Sequence, residues 1–324
     1  MPDLYDVAAI GNAIVDVIAP ADEAFLAANS LDKGAMMLVD QAQSAALYAR
    51  MAAGVETSGG SAANSIAGLA SFGGRGAFMG KVADDFLGEV FRHDMAAIGA
   101  RFENASLVGG PGTAISMINV TPDAQRTMCT FLGASVQFTD SDVEKDTVEA
   151  AKIVYLEGYL FDAEPARKAF AKAAALAHGA GRTIALTLSD GFVVERHRGG
   201  LMGFIETQVD LLFANETELC ALFETTNFDA AIRALAPHVK LAAVTCGANG
   251  SVILSQGERL TVKAEAVEKV VDTTGAGDQY AAGFMFGLSR GRPLQQCGQL
   301  ASLAAAEVIS HYGARPEVSL AGLV

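Results

Sequence analysis

Hydrophobic positions run almost unbroken through YDVAAIGNAIVDVIA (5–19), which predicts one buried strand, and recur briefly at GAMMLV (34–39). QAQSAALYARM (41–51) instead spaces its apolar residues as a helix does. From Gly60 onward the two rhythms alternate: helix SAANSIAGLASFG, strand RGAFMG, helix DDFLGEVFRHDMAAIG, then two β-rich pieces, GTAISMINV and QRTMCTFLG. Strand KIVYLEG, helix AEPARKAFAKAAALAHG, strands TIALTLS and VDLLFA, helix NETELCALF and strand LAAVTC follow. Two closing helices, about 276–290 and 293–312, place Leu300, Leu303, Ala304 and Val308 on one face toward a core.

Strands alternating with helices of roughly 10 to 15 residues imply an α/β fold, a mostly parallel sheet with helices on both faces. The β-rich pieces at roughly 12–40 and 112–132 break that rhythm and are expected to pair as a small sheet projecting from the main body. In open α/β sheets a ligand lies beyond the carboxyl ends of the strands. The segments 10–16, 57–60, 155–160, 186–190, 212–218 and 244–250 should therefore converge on one cleft.

Composition narrows the picture. The chain has 324 residues, 51% of them apolar, and no Pro/Ser/Gly-rich linker or repeat, so one domain spanning 1–324 is expected. No apolar run has the roughly 18 to 20 residues of a membrane span, and the first residues carry no basic region before their apolar stretch. A soluble, unexported, cytoplasmic protein is expected. The four cysteines, 129, 220, 246 and 297, form no CxxC pair, and the histidines show no metal-ligand spacing. A formal charge of −14 repels polyanions and argues against nucleic acid as a partner. A small anionic ligand would have to be held by local devices: oriented amides, a helix N-terminus, a metal ion or one placed cation.

Familiar phosphate signatures fail. GAFMGKV lacks the spacing of a P-loop, GAGDQY lacks the third glycine of a dinucleotide fingerprint, and GGSAA lacks the last glycine of a nucleophile elbow. DTTGAGDQYAAGF (272–284) does better. Gly275 and Gly277 let the backbone approach a ligand closely, Ala276 adds little bulk, and the amides of 275–278 would point out of the helix that starts there. That suits a phosphoryl group in transfer, and Asp278 beside it can accept the proton of an attacking alcohol. The plainer alternative is that Asp278 only complements the helix dipole.

Other stretches admit two readings each. GNAIVD places Asp16 near a strand end, and SGGSAANS puts Gly59 and Gly60 before a helix with Asn64 one turn inside. Together these can clamp vicinal hydroxyls; singly they are a turn residue, a tight turn and a helix polar residue. NETE places Asn215 and Glu218 three apart, a capping pattern that also suits organising magnesium and its waters. VTCGANG gives Thr245, Gly247 and Gly250, a turn that passes beside a nucleotide or simply joins two strands.

With GGSAANS, NETE and DTTGAGD in that order, the sequence resembles the ribokinase-like (PfkB) family of carbohydrate and nucleoside kinases over nearly its whole length. It is most similar to the adenosine kinases there, through GNAIVDV, FLAANSL, SGGSAANSI, QRTMCTFLGAS, VDLLFANETE and VVDTTGAGD. The resemblance implies a central α/β domain with a small β lid. It implies Asp278 as catalytic base, with Gly275, Ala276 and Gly277 as its anion hole. Asp16, Gly60 and Asn64 match residues that hold sugar hydroxyls, with Asn12 facing the substrate. Asn215 and Glu218 match the motif linked to Mg2+ and phosphate, and Thr245, Gly247 and Gly250 match the ATP-binding turn. Arg126 resembles a lid arginine that reaches phosphate, a solvated surface arginine being the ordinary alternative. Asp272 and Thr274 match residues that bind K+ in many members. Gln279 and Tyr280 depart from the family, which has small residues and phenylalanine there.

The expected activity is ATP-dependent phosphorylation of the 5′-hydroxyl of a purine nucleoside, adenosine first. A sugar kinase acting on ribose, fructose or a related sugar is the near alternative, and a nucleotide-sensing protein without catalysis the distant one. Adenine needs an apolar slot, to which Phe131, Leu132 and Tyr159 can contribute, unless they are simply core. Monomer and homodimer are both compatible with the resemblance.

Overall fold

The expected first strand divides in two. β1 (Tyr5–Ile10) ends at Gly11, and β2 (Ile14–Pro20) belongs to a different sheet. A Cβ on Gly11 would stand 2.5 Å from both Ala62 Cβ and Glu157 Oε2, while Asn12 donates to Glu157 through its backbone and side-chain amides. That anchorage turns the chain out of the first sheet. The computed structural model describes residues 4–323 except residue 124; residues 1–3, residue 324 and residue 124, inside the second β-rich piece, lie outside the described residues.

After β2 come α1 (Glu23–Ala28), β3 (Met36–Leu38), α2 (Gln41–Tyr48), β4 (Val55–Gly59), α3 (Ser61–Ser71), β5 (Gly76–Met79) and α4 (Phe86–Ala97). β6 (Ala114–Val120) and β7 (Arg126–Phe131) form an antiparallel pair. The alternating part follows: α5 (Lys145–Ala150), β8 (Ala151–Glu157), α6 (Glu164–Gly179), β9 (Thr183–Thr187), α7 (Gly191–Gln208), β10 (Leu211–Asn215), α8 (Glu216–Leu222), α9 (Phe228–Leu235) and β11 (Leu241–Thr245). A hairpin of β12 (Ser251–Ser255) and β13 (Glu258–Val262) precedes the closing helices α10 (Ala276–Ser289) and α11 (Leu294–Val308).

The main sheet has eight strands in the order β13-β12-β11-β10-β9-β8-β1-β5. Its pairs are parallel except β11–β12 and β12–β13, which are antiparallel. Side-chain alternation sends Ala8 and Ile10 to one face, packed with α6 and α7, and Val7 and Ala9 to the other, packed with α3 and α10. Two apolar cores sandwich the sheet. Ala304 and Val308 of α11 are buried, with Leu300 and Leu303 half-buried against the second core.

The second sheet has five strands, ordered β3-β7-β6-β2-β4. The two β-rich pieces supply all of it except β4, whose sequence VETSG carries too few apolar residues to read as a strand. β4 pairs antiparallel with β2, so Gly59 ends a strand rather than lying in a free loop. α7 also escapes the hydrophobic pattern, since its middle holds a kink at His197 and the Gly199–Gly200 pair.

Strand order reverses between β1 and β8, because the chain passes from β1 outward to β5 and later from β8 through β9 and β10 to the opposite edge. Asn12 and Glu157 sit at the carboxyl ends of those two strands, where such a crevice is expected.

Candidate active site

α10 starts without a side-chain cap. Gly275 is its N-cap in the left-handed region, φ 78°, and an added Cβ would meet Ala314 at 2.7 Å, so this position requires glycine. Ala276 N–H turns back to Thr273 O at 3.2 Å. The amides of Gly277 and Asp278 have no protein acceptor among the described residues, as the first turn of a helix leaves them. A Cβ on Gly277 would meet nothing within 4 Å: the chain keeps that space open.

Asp278 stands in this first turn, and its carboxylate turns toward α3. Oδ1 accepts from Ser61 Oγ at 2.6 Å and Oδ2 from Asn64 Nδ2 at 3.2 Å, while its backbone carbonyl accepts from Ser65 Oγ at 3.0 Å. Burial pushes the carboxyl up to about 6 against the opposing pull of those two hydrogen bonds and of Arg315. Such a group is mostly ionised at neutral pH and still basic enough to accept a proton.

Two cavities meet at this helix start. One, of about 670 Å³, is lined by Asn12, Asp16, Gly60, Ser61 and Glu157 on one side and by Asn215, Glu218, Thr245 and Gly247 on the other, with Asp278 between. The second, of about 570 Å³, runs from Thr245, Gly247 and Gly250 along Val267, Val270 and Ala305; it shares Thr245, Gly247, Thr273, Ala276, Gly277 and Tyr280 with the first. The strand-end segments singled out in the sequence do converge on this cleft.

Asp16 faces the first cavity from β2, its carboxylate lying across Gly59, where a Cβ would come within 2.3 Å of Oδ2. Burial pushes it up to about 6, with Arg315 and then Arg126 opposing and Asp278 reinforcing. Gly60, φ 93°, packs on Asn12, whose carbonyl oxygen a Cβ would meet at 2.3 Å.

Asn215 and Glu218 form a closed capping box on α8: Asn215 Oδ1 accepts from Glu218 N–H at 2.8 Å, and Asn215 N–H and Nδ2 donate to Glu218 at 3.0 and 2.6 Å. Both also line the cavity. Burial pushes Glu218 up to about 7, with the charges of Asp190 and Asp278 adding to it.

Several singled-out residues stand elsewhere. Asn64 is buried behind Asp278 and Gly59 behind Asp16; neither lines the first cavity. Gly250, φ 87°, belongs to the second cavity. Arg126 turns from the cleft to Asp272, with Nη1 2.6 Å from Oδ2 and 3.0 Å from Thr274 Oγ1, its guanidinium over the Tyr312 ring. Leu132 and Tyr159 line the first cavity, whereas Phe131 packs into the second core.

Three positions of the candidate site escaped the sequence. Ser61 lies within the GGSAANS stretch, but nothing local marks it as the partner of a residue 217 positions away. Glu157, fully buried, accepts from Asn12 and from Ala62 N–H at 2.9 Å, bracing the β1 exit against the start of α3; burial pushes it up to about 7. Arg315 contacts Asn64 and Ser58 from a loop after α11. Gln279, a departure from the resemblance, is also explained: its amide donates to Asn64 O at 3.0 Å and Ala314 O at 2.8 Å, and its oxygen occupies the place a Cβ on Gly68 would fill. Tyr280 donates to Ser251 Oγ at 2.7 Å and floors both cavities.

The solved structure of adenosine kinase from Sinorhizobium meliloti is similar, 51% identical with a TM-score of 0.91, covering 99% of this chain and 98% of that one. A probable sugar kinase from Rhizobium etli CFN 42 is 45% identical, TM-score 0.92, over 99% and 98%. The adenosine kinase of Saccharomyces cerevisiae is 28% identical over 94% of this chain and 95% of its own. The model for the pfkB family of carbohydrate kinases matches residues 6–320, and the chain belongs to that family of phosphotransferases.

Proposed function

We propose that the chain phosphorylates the 5′-hydroxyl of a purine nucleoside, adenosine in the first place, with ATP as donor. The observation that carries this choice is the wall of the first cavity formed by the second sheet: Ile14, Met36, Leu38, Ile118 and Met128 face the polar group of Asn12 and Asp16. Met36 and Leu38 are 52% and 62% exposed, an arrangement that a flat aromatic base would cover and a free sugar would not. The slot is thus built mainly from methionine, leucine and isoleucine, with Leu132 and Tyr159 at its margin. The 51% identity with the S. meliloti adenosine kinase supports the same choice.

In this reading Asp16 holds the ribose hydroxyls, with Asn12 and Gly60 forming the adjacent wall. Asp278 accepts the proton of the 5′-hydroxyl as that oxygen bonds to the γ-phosphorus. The bond from phosphorus to the β–γ bridging oxygen breaks, ADP leaves, and the proton passes to solvent. The amides of Gly277 and Asp278 receive the charge on the transferring oxygens. The donor base and ribose occupy the second cavity along Val267, Val270 and Ala305, beside the turn of Thr245, Gly247 and Gly250.

Asp190 and Glu218 line the same cavity and fit a hydrated Mg2+ held chiefly by phosphate, because Glu218 is driven up by burial and by the charge of Asp190, and a divalent ion would relieve that repulsion. Among the described residues no three acidic, histidine or cysteine side chains form a cage of their own. Mg2+ supplies neutralisation of the phosphate charge. Potassium does not fit the side chains of Asp272 and Thr274: Asp272 Oδ1 accepts from Thr274 N–H and Oγ1, and Oδ2 from Gly313 N–H and the Arg126 guanidinium. No step is assigned to it.

The second sheet is the natural cover of the acceptor site, one discontinuous part of a single domain, and its closure would exclude water. A specific observation favours a sugar acceptor instead: Ser116 and Thr130 place hydroxyls on the same wall, 3.2 Å apart. ADP release measured with ATP and Mg2+ across adenosine, inosine, guanosine, cytidine, ribose and fructose decides. Turnover confined to purine nucleosides is expected; turnover on free sugars alone overturns the nucleoside assignment and keeps the base.

A further inference from the structure

Arg315 sits in the irregular loop after α11, far in sequence from every group it touches. Its Nε donates to Asn64 Oδ1 at 3.2 Å and its Nη1 to Ser58 Oγ at 2.8 Å, so one guanidinium reaches both α3 and β4 of the second sheet. The loop itself is pinned to the start of α10, for Ala314 O accepts from Gln279 and Gly313 N–H donates to Asp272.

The chemistry of these contacts fixes an orientation. Asn64 has an amide that can be turned either way, but arginine only donates and a carboxylate only accepts. Arg315 therefore holds the Asn64 oxygen toward itself, which leaves Nδ2 pointing at Asp278 Oδ2. The remaining donor, Arg315 Nη2, is buried without an acceptor. A buried, incompletely paired guanidinium is a poor device for stability, since an apolar side chain of similar volume would serve packing better.

We propose that Arg315 is a positioning residue for the phosphoryl transfer: through Asn64 it aims the carboxylate of Asp278, and its charge keeps that carboxylate ready to accept a proton. The inference rests on the kinase reading above for its catalytic consequence, though its geometric half stands without it. The titratable groups facing Asp278 are Asp16 from β2, Tyr155 and Glu157 from β8, Tyr159 beyond it and Glu218 from α8, and Arg315 is the cation acting on it. Asp16, Asp94 and Asp278 in turn favour the charge of Arg315 against its burial.

The test follows the Asp278 carboxyl by NMR in protein carrying 13C-labelled aspartate, assigned with Asp278→Asn, in wild type, Arg315→Met and Arg315→Lys, beside steady-state kinetics from pH 5 to 9. In Arg315→Met the carboxyl is expected to titrate roughly one pH unit higher, and the acid limb of the kcat profile to move with it. At pH 7 kcat falls about tenfold or more and partly recovers at pH 9, with KM for ATP within about twofold of wild type. Arg315→Lys keeps the titration but not the full kcat, because it keeps the charge and loses the fork to Asn64 and Ser58. A folded Arg315→Met with an unmoved titration and acid limb overturns the proposal, as does an even loss in all parameters without a pH shift. Should Arg315→Met not fold, an Arg315→Lys with full kcat overturns it instead. A wild type that makes no phosphorylated product refutes the kinase reading separately, while the titration still decides whether Arg315 acts on Asp278.

Discussion

α8 and α10 both open onto the cleft with an acidic residue at the third helical position, Glu218 and Asp278, yet the two helix starts are finished in opposite ways. In α8 the N-cap is Asn215, and side chain and backbone satisfy one another in a closed box. In α10 the N-cap is Gly275, which has no side chain to offer, so the amides of Gly277 and Asp278 stay bare among the described residues and Asp278 takes its partners from α3. One residue at the cap separates a completed helix end from a place where an anion can sit beside a carboxylate.

Removing the Asp278 carboxylate tests that contrast hardest. Asp278→Asn should lower kcat by roughly 100- to 10,000-fold in the ADP-release assay while the melting temperature stays level or rises, since a buried carboxylate is replaced by a neutral isostere. A mutant with near wild-type turnover would remove Asp278 from the mechanism.

The two glycines of the same turn should then part company. Gly277→Ala puts a methyl group into open space, so stability holds while kcat falls about 10- to 100-fold as the amide cradle is crowded. Gly275→Ala meets Ala314 in a left-handed backbone and should cost about 1–3 kcal/mol by denaturant unfolding. Equal stability losses at both positions would contradict the open space at 277.

On α8 the balance should reverse. Asn215→Ala should cost about 1 kcal/mol of stability by loss of the cap, with a smaller effect on kcat than Asp278→Asn or Gly277→Ala. The smallest effect is on stability against pH, where the two helix starts agree. Asp278 at about 6 and Glu218 at about 7 lie above their ordinary 3.8 and 4.5, so their contribution is complete below about pH 4 and is lost as pH rises through 6 and 7. The melting temperature should drop by a few degrees between pH 5 and 8, less steeply near pH 6 in Asp278→Asn and near pH 7 in Glu218→Gln. A flat profile in the wild type would mean that neither carboxyl is raised.

Both helix starts were visible in the sequence because capping is decided by a few adjacent residues: NETE and TTGAGD carry their geometry with them. Glu157 was not visible. It ends a strand reading KIVYLEG, and its role depends on Asn12, 145 residues earlier, and Ala62, 95 residues earlier, arriving beside it. The single strand expected over 5–19 failed for the same reason. Its apolar run is interrupted only by Gly11, Asn12 and two aspartates, and what makes the Gly11–Asn12 pair a break is the carboxylate of Glu157, against which Gly11 packs and to which both Asn12 amides donate.

Arg126 shows the reverse case. Its place on β7 was legible, but whether it meets phosphate, solvent or protein depends on what stands opposite, and here Asp272, Thr274 and Tyr312 do. By itself the sequence determined the alternation of strands and helices, the glycine-rich start and the acidic first turn of α10, because backbone freedom, hydrophobic period and helix capping act over neighbouring residues. The tertiary structure alone decided that Ser61, Asn64 and Arg315 would surround Asp278 and that methionines would wall the first cavity. Those contacts span up to 251 residues of chain, and they exist only once sheet order has brought the loops together.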